Sequence, residues 1–206
     1  MKNIALIGGV GAGKTTLATT LMQEDQSLHY IYMSKYGSRI PLTLIATSCP
    51  DLLTLSRNEY IRIIMRNQDI PLQEFTRQQM EEFNIHVDEV YGDSITSDIV
   101  LRLIDIRQHY LADNVHKVSN VRRFKENRFY IVGLHCRFET QVLRRLKDRK
   151  PIDPEDISLL ERQVQLSNRV FQISDIMQLA DLSYDTDQVS ITDYPNIARE
   201  ILERIR

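Results

Sequence analysis

The segment from Gly8 to Thr15 constrains the fold of this chain more than any other part of the sequence. It reads Gly-Gly-Val-Gly-Ala-Gly-Lys-Thr, which has the G-x-x-x-x-G-K-[ST] spacing of a phosphate-binding loop. The apolar residues 4–7 before it predict a buried strand, and residues 16–22 after it predict a helix. The loop chemistry requires this strand–loop–helix context, so the match is more than a glycine-rich turn. We expect an α/β fold that binds a nucleoside triphosphate.

The residue types in this loop suit phosphate binding. Glycines let the backbone turn tightly and direct several N–H groups inward, and the helix N-terminus adds partial positive charge. The expected phosphate-binding residues are Gly8, Gly9, Val10, Gly11, Ala12, Gly13, Lys14, Thr15 and Thr16. Within this set, Lys14 is expected to contact the β- and γ-phosphates, and the Thr15 hydroxyl is expected to ligate Mg²⁺.

Composition argues against several classes of partner. The 206 residues include 26 basic and 28 acidic side chains, and a formal net charge of −2 favours neither nucleic acid nor an anionic membrane. The apolar N-terminal stretch is too short for a membrane span and lacks the features of a secretory signal. Cys49 and Cys136 lie far apart and form no metal-spaced pair. We therefore expect a cytoplasmic protein with free thiols and with no nucleic-acid or membrane partner.

Strands and helices alternate along most of the chain, which is typical of a parallel sheet covered by helices. Besides residues 4–7, the expected strands are residues 28–33, 110–113, 129–134 and 181–184. The sequence thus predicts the three-layer P-loop NTPase sandwich, an α/β fold whose mainly parallel five-stranded sheet is flanked by helices. Ile197, Ile201 and Ile205 follow helical spacing and predict a core-facing stripe on the last helix.

Two regions interrupt this alternation. Residues 35–109 are too long for one crossover helix and carry several helical patterns, so they predict a helical insertion. The last of these patterns consists of Ile99, Leu103, Ile106 and Tyr110. Residues 137–169 predict two helices separated by a turn that contains two prolines. We expect a single domain over residues 1–206 that includes both regions.

A carboxylate at the end of a neighbouring strand is needed to hold Mg²⁺ or its bound water. Asp113, which ends the strand at residues 110–113, is the best candidate, and the alternative is an aspartate that caps a loop. His109 and His116 flank it and either are structural or assist proton transfer. Thr15 and Asp113 are therefore the expected metal ligands.

Basic residues gather in the region 137–169. They are Arg137, Arg144, Arg145, Lys147, Arg149, Lys150, Arg162 and Arg169. Phosphoryl transfer spreads negative charge over oxygens that positioned arginines stabilise, although charged residues on helices are also commonly solvated. The spacing does not allow all of the arginines to share one helix face, so some must point to solvent. The region is a candidate lid over the phosphates.

These segments resemble adenylate-kinase-like P-loop kinases, the group that includes nucleoside monophosphate kinases and dephospho-coenzyme A kinase. The resemblance rests on residues 8–16, on strand 129–134 and on the arginine-bearing residues 144–162. It also rests on Asp113-Asn114-Val115-His116, which stands where relatives carry Asp-Gly-x-Arg. It covers the N-terminal segment and the C-terminal half of the chain.

The resemblance implies a sheet core, an acceptor-binding insertion at residues 35–109, a mobile lid at residues 137–169, and ATP and Mg²⁺ as cofactors. It implies catalytic roles for Lys14, Asp113, Arg145, Arg149 and Arg162. The candidates to hold an acceptor phosphate are Arg39, Arg57, Arg62 and Arg66.

The expected function is ATP-dependent phosphoryl transfer to a small phosphorylated acceptor, first of all a nucleoside monophosphate. One alternative is a dephospho-coenzyme A kinase-like activity on an adenylate-bearing acceptor, but residues 34–39 lack the carboxylate that such kinases use near that point. The other is a nucleotide-binding regulatory ATPase module with little transferase activity, which the unusual Asn114 and His116 leave open. The sequence has no N-K-x-D string, which argues against a GTPase.

Overall fold

The computed structural model describes residues 2–40, 42, 54–67, 76–147 and 154–206. The chain forms two compact units, Met1–Ile31 with Gln108–Arg206, and Tyr32–Arg107. The strands are β1 (Asn3–Gly8), β2 (Leu28–Tyr32), β3 (His109–Asp113), β4 (Phe129–His135) and β5 (Leu182–Asp185). The helices are α1 (Lys14–Glu24), α2 (Arg57–Arg66), α3 (Arg77–Tyr91), α4 (Ile95–Leu103), α5 (Val118–Glu126), α6 (Phe138–Lys147), α7 (Pro154–Val170), α8 (Ile173–Met177) and α9 (Tyr194–Ile205). Among the described residues, no helix is long and apolar enough to span a membrane.

The first unit is built on a five-stranded sheet with the strand order β2-β3-β1-β4-β5. β1 lies at its centre and pairs in parallel with both β3 and β4, and β4 pairs in parallel with β5. Ile4 lies opposite Leu111, and Gly8 lies opposite Leu134. The predicted α/β fold with a five-stranded parallel sheet is therefore confirmed, and each predicted strand is present to within about two residues.

The core of this unit explains why its strands are continuous apolar runs. Residues 4–7 of β1 are completely buried, because a central parallel strand is covered on both faces. Leu17 and Leu21 of α1 and Ile201 and Ile205 of α9 pack in the same apolar cluster as β1. The predicted stripe on the last helix is thus part of the core. The carboxyl end of β1 leads directly into the glycine-rich loop.

One predicted helical pattern is partly wrong. α4 ends at Leu103, where Ile104 turns to an extended conformation. Asp105 then accepts a hydrogen bond from the backbone N–H of Arg107 at 2.9 Å and forms a local turn. As a result Ile106 is 96% exposed, whereas Tyr110 lies in β3, which agrees with the strand predicted at residues 110–113. The spacing of the apolar residues was helical, but the aspartate turn ended the helix.

The second unit contains α2, α3 and α4 around an apolar core of its own. Ser56 and Thr76 begin α2 and α3 with capping boxes, in which their side chains accept from the N–H of Glu59 and Gln79. Tyr60 and Tyr91 stack in the core with ring centroids 4.4 Å apart. The core residues are Ile40, Leu42, Tyr60, Ile61, Ile64, Phe83, Val87, Tyr91, Ile95 and Ile99.

Candidate functional site

The glycines of the predicted phosphate loop are required by backbone shape and by close packing. Gly8, Gly11 and Gly13 have φ values of 139°, 76° and 90°, which L side chains rarely adopt. A Cβ at Gly8 would lie 2.1 Å from the carbonyl oxygen of Leu134, and one at Gly13 would lie 2.2 Å from the Tyr194 hydroxyl. The loop therefore packs against β4 and the start of α9 without room for a methyl group. The tight turn predicted for the loop is present.

Lys14 is held inside this loop. It is 7% exposed, and its Nζ donates to the carbonyl oxygens of Gly8 and Gly9 at 2.8 Å each. No described residue accepts from its third N–H, which is therefore available to a phosphate oxygen. Burial lowers the pKa of Lys14 to about 8, and the negative charge of Asp113 acts in the opposite direction. Binding of an anionic phosphate would favour the protonated form further.

Asp113 lies at the carboxyl end of β3 and is 1% exposed. Its Oδ2 accepts a hydrogen bond from the Tyr30 hydroxyl at 2.9 Å. Its Oδ1 is buried and has no hydrogen-bond partner among the described residues. An open carboxylate oxygen near a phosphate loop suits Mg²⁺, which takes few protein oxygens and keeps several waters. Thr15 is exposed in the first turn of α1, and its hydroxyl is the metal ligand that the motif predicts.

The structure describes Asn114 and His116, the two residues that depart from the kinase pattern which the sequence resembles. Asn114 has a φ of 66°, and asparagine is among the few residues that tolerate this left-handed conformation in place of glycine. The His116 ring stacks on Phe171 with centroids 4.0 Å apart. Burial, followed by the charges of Lys14 and Lys117, lowers the pKa of His116 to about 3. His116 is therefore a neutral imidazole beside the site.

Arg144 is the arginine of α6 that reaches the phosphate loop. Its Nη1 donates to the carbonyl oxygen of Gly11 at 2.9 Å and to Oγ1 of Thr186 at 3.0 Å. Its Nη2 donates to the carbonyl oxygen of Thr186 at 2.7 Å. These bonds tie α6 and the segment after β5 to the outside of the loop. Arg144 is thus a structural clamp, and the start of α6 belongs to the wall of the loop.

The three arginines predicted to stabilise transferring charge have different surroundings. Arg145 is half-buried on α6, and Arg162 is exposed on α7. Arg149 lies outside the described residues. α6 and α7 pack together through Val142, Leu160 and Val164. Lys14 and Thr15 lie in the first turn of α1, and the charge of Asp113 acts on Lys14. The catalytic and metal-binding roles of these residues and of the three arginines stay predictions.

In the second unit, the arginines predicted to hold an acceptor phosphate differ in their contacts. Arg57 forms a salt bridge with Asp98 and donates to the hydroxyl of Ser94 at 3.1 Å. Arg62 and Arg66 are exposed on α2. The guanidinium of Arg39 lies 5.9 Å from the ring centroid of Tyr32. Arg57 is therefore already engaged within this unit.

Sequence reasoning missed several residues that contact the loop or Asp113. They are Tyr30, Gln141, Arg144 as a clamp, Asn168 and Tyr194. Uncharged amides and tyrosines carry no motif of their own, and their positions depend on long-range contacts. Only Arg144 had a signal, since it belonged to the basic group already identified.

Comparison with known proteins identifies the fold. No family model matches the chain, and no curated protein matches it. Among solved structures, a shikimate kinase from Acinetobacter baumannii in complex with shikimate matches with a TM-score of 0.51 and 18% identity, over 100% of this chain and 93% of that chain. A shikimate kinase from Bacteroides thetaiotaomicron has a TM-score of 0.55 and 13% identity, over 98% of both chains. TT1252 from Thermus thermophilus has a TM-score of 0.53 and 11% identity, over 100% of both chains.

The chain has a P-loop kinase fold. The expectation of this fold is confirmed. The narrower resemblance to nucleoside monophosphate kinases and dephospho-coenzyme A kinase has no such support, because both kinases named among these structures are shikimate kinases. At sequence identities this low, similarity to the solved structures shows the fold alone.

Proposed function

We propose that the protein is an ATP-dependent small-molecule kinase. The observation that carries this proposal is the pair Lys14 and Asp113. Lys14 is buried, with two N–H groups bonded to its own loop and a third available. Asp113 is buried, with one oxygen bonded to Tyr30 and the other without a partner among the described residues. Buried charged groups that the fold leaves incompletely paired are candidates for ligand binding.

The mechanism follows from what these groups can do. The backbone N–H groups of residues 9–15 would bind the phosphates of ATP, and the glycine conformations hold those groups in place. Lys14 would donate its remaining N–H to a phosphate oxygen and stabilise the charge that develops during transfer. Because most catalysis in phosphoryl transfer comes from positioning and electrostatics, no covalent nucleophile is needed.

The residues present fit a magnesium ion. The Thr15 hydroxyl and Oδ1 of Asp113 would hold Mg²⁺ directly or through its waters, and Tyr30 would fix the carboxylate by holding Oδ2. When bound, Mg²⁺ neutralises phosphate charge and orients the phosphates. Arg145, Arg149 and Arg162 remain the proposed arginines for the transferring phosphoryl group.

The acceptor class is the less specified part of the proposal. The first candidate is a nucleoside monophosphate, and the second is dephospho-coenzyme A or another adenylate-bearing metabolite. The fold neighbours named as shikimate kinases add shikimate as a non-phosphorylated alcohol to be tested. Arg39, Arg57, Arg62 and Arg66 are the arginines proposed for an acceptor phosphate, and among them Arg57 would first have to exchange its salt bridge with Asp98.

The test is a transfer assay with ATP, Mg²⁺ and a panel of acceptors containing the nucleoside monophosphates, dephospho-coenzyme A and shikimate. The expected result is ADP formation that one acceptor stimulates, together with the phosphorylated acceptor. Slow ATP hydrolysis that no acceptor stimulates would instead favour the regulatory ATPase. A protein that binds no ATP would refute both.

A further inference from the structure

Two amide side chains beside the phosphate loop, the buried Gln141 and the partly buried Asn168, have no part in the proposed chemistry. Gln141 lies in the first turn of α6 and is 6% exposed. Its Nε2 donates to the carbonyl oxygen of Cys136 at 3.2 Å. Its Oε1 accepts from Nδ2 of Asn168, in the last turn of α7, at 3.1 Å. We call this chain of hydrogen bonds from Cys136 through Gln141 to Asn168 the amide relay.

The direction of the amide relay follows from its first member. The carbonyl oxygen of Cys136 can only accept, so Gln141 must present its NH₂ group there and its oxygen to Asn168. Asn168 must then present its NH₂ group to Gln141. This leaves Oδ1 of Asn168 as the end of the relay, and it is buried with no hydrogen-bond partner among the described residues. The backbone therefore fixes the orientation of both amides.

The relay packs against Gly9 of the phosphate loop. A Cβ at Gly9 would lie 3.0 Å from Oδ1 of Asn168 and 3.2 Å from Nε2 and Oε1 of Gln141. Unlike Gly8, Gly11 and Gly13, Gly9 does not have a positive φ. A Cβ at Gly9 would therefore be opposed by contact with the relay, whose amides would have to shift by a few tenths of an ångström, and not by backbone conformation. The carbonyl oxygen of Gly9 is also one of the two that accept from Lys14.

The end of α7 is anchored on its other side. The N–H of Lys117 donates to the carbonyl oxygen of Phe171 at 3.4 Å, and the N–H of Val118 donates to Oε1 of Gln172 at 3.1 Å. The stack of His116 on Phe171 adds a third contact. Asn168 therefore cannot move away from Gly9 without breaking contacts to the segment that follows Asp113. A buried acceptor without a partner is costly and persists only where other contacts determine its position.

We propose that Gln141 and Asn168 are positioning residues of the phosphate loop. They hold Gly9 in place, so that its carbonyl oxygen keeps Lys14 directed at the phosphate site. Neither amide contacts the reacting atoms in this account. The inference rests on the proposed function only in taking the loop as the nucleotide phosphate site, and it does not depend on which acceptor is used.

The test is the dissociation constant of Mg·ADP, measured by isothermal titration calorimetry, for the wild type, Asn168→Leu and Asn168→Asp. Leucine removes the relay's last bond, and we expect affinity to fall about fivefold, as for the loss of one buried hydrogen bond. Aspartate keeps the shape but cannot donate to Gln141, and its charge adjoins the phosphates. We therefore expect a larger loss for aspartate than for leucine, which a purely structural role would not produce.

Asn127→Leu is the matched control. Nδ2 of Asn127 donates to the carbonyl oxygen of Arg123 at 2.8 Å at the end of α5, so the control removes a similar bond that does not border the loop. Its Mg·ADP affinity should equal that of the wild type. Gln141→Met offers a second way to break the relay if an Asn168 variant does not fold. Combining Gln141→Met with Asn168→Leu should add little to either single loss, because the relay acts as one unit.

Thermal unfolding identifies the variants that are folded. If folded Asn168→Leu and Asn168→Asp bind Mg·ADP within about twofold of the wild type, which is under 0.5 kcal/mol by the affinity relation, the inference is overturned and the proposed function stands. Equal losses for the two variants would also overturn it. A wild-type protein that binds no Mg·ADP would overturn both the inference and the proposed function.

Discussion

The buried charged residues of the two units differ in how completely they are hydrogen-bonded. In the second unit, Asp98 is buried and is paired with Arg57, and its Oδ2 also accepts from the Ser94 hydroxyl at 2.9 Å. In the first unit, the buried Lys14 donates to two carbonyl oxygens of its own loop and to no other described residue. The buried Asp113 keeps one oxygen without a partner among the described residues. The charges of Asp98 and Arg57 are paired within the protein, whereas Lys14 and Asp113 keep hydrogen-bonding groups that a ligand can use.

This difference indicates that Asp98 contributes to the stability of the fold, whereas Lys14 and Asp113 contribute to ligand binding. A carboxylate that is fully engaged by an arginine and a serine contributes to the folded state, and its loss leaves those partners unsatisfied. A buried lysine and a buried aspartate with unused hydrogen-bonding capacity lower the stability of the fold unless a bound ligand supplies the missing hydrogen bonds. We therefore expect substitutions at Asp98 to reduce stability and substitutions at Lys14 to reduce activity. Substitutions in the two units test whether Asp98 serves stability and Lys14 serves activity.

Lys14→Ala should reduce turnover at least about a hundredfold, the scale of losing one preorganised electrostatic stabiliser. The fold should remain intact, because burying the charged ammonium group of Lys14 is itself unfavourable, as its lowered pKa indicates. Steady-state turnover and thermal unfolding measure the two effects. Lys125→Ala, which removes an exposed salt bridge to Asp181, is the control and should keep its turnover. Near-normal turnover of Lys14→Ala would refute the role assigned to Lys14.

Asp98→Ala should lower the free energy of unfolding by about 1–2 kcal/mol, because Arg57 and Ser94 lose their shared acceptor and Arg57 is partly solvated. Denaturant unfolding measures this change. Asp105→Ala is the matched control, since Asp105 pairs with Arg107 on the surface of the same unit, and it should change stability by less than about 0.5 kcal/mol. Equal effects for the two variants would contradict the account.

His116 should make the protein less stable in mild acid. Its pKa is about 3 in the folded protein, against an ordinary value of 6.5. Below pH 6.5 the unfolded chain therefore binds a proton that the folded chain does not, and stability falls progressively toward pH 3. The groups that face the ring are Phe171, Lys14 and Lys117.

The check is denaturant unfolding of the wild type and His116→Phe at pH 7 and pH 5. The variant should lose less stability than the wild type over this range, because phenylalanine does not titrate and can still stack on Phe171. His86→Gln, at an exposed position on α3, should behave as the wild type does. A variant that loses as much stability as the wild type would show that His116 contributes nothing to the acid sensitivity.

Tyr30→Phe should have the smallest effect, a fall in kcat of about three- to tenfold, corresponding to one hydrogen bond to a charged group. The carboxylate of Asp113 would lose the donor that fixes Oδ2. Tyr110→Phe removes a hydroxyl that donates to Gln108 at 3.0 Å on the same sheet, and it should keep its kcat. Indistinguishable kcat values for the two variants would remove Tyr30 from the site.

Local sequence signals accounted for the fold and for the glycine-rich turn that follows β1. The phosphate loop and the apolar strands were predictable because their residues are contiguous and their spacing has a direct structural meaning. Glycine at the loop positions with positive φ was likewise a local requirement. Helical periodicity failed at Ile106, because the turn at Asp105 outweighs the spacing of apolar residues.

The supporting contacts could not be predicted in the same way. Tyr30 and Asp113 are 83 residues apart in sequence, and Gln141 and Asn168 are 27 residues apart. Such pairs are brought together only by the strand order and by the packing of α6 on α7. Arg144 was identified only as a member of a basic group, and its three bonds to Gly11 and Thr186 depend on that same packing.

The most direct test of the central claim is the binding of Mg·ATP to the wild type, Lys14→Ala and Asp98→Ala by isothermal titration calorimetry. The account predicts that the wild type and Asp98→Ala bind with the same affinity, and that Lys14→Ala binds at least about tenfold more weakly, or 1.4 kcal/mol. Undiminished binding by a folded Lys14→Ala protein would contradict it.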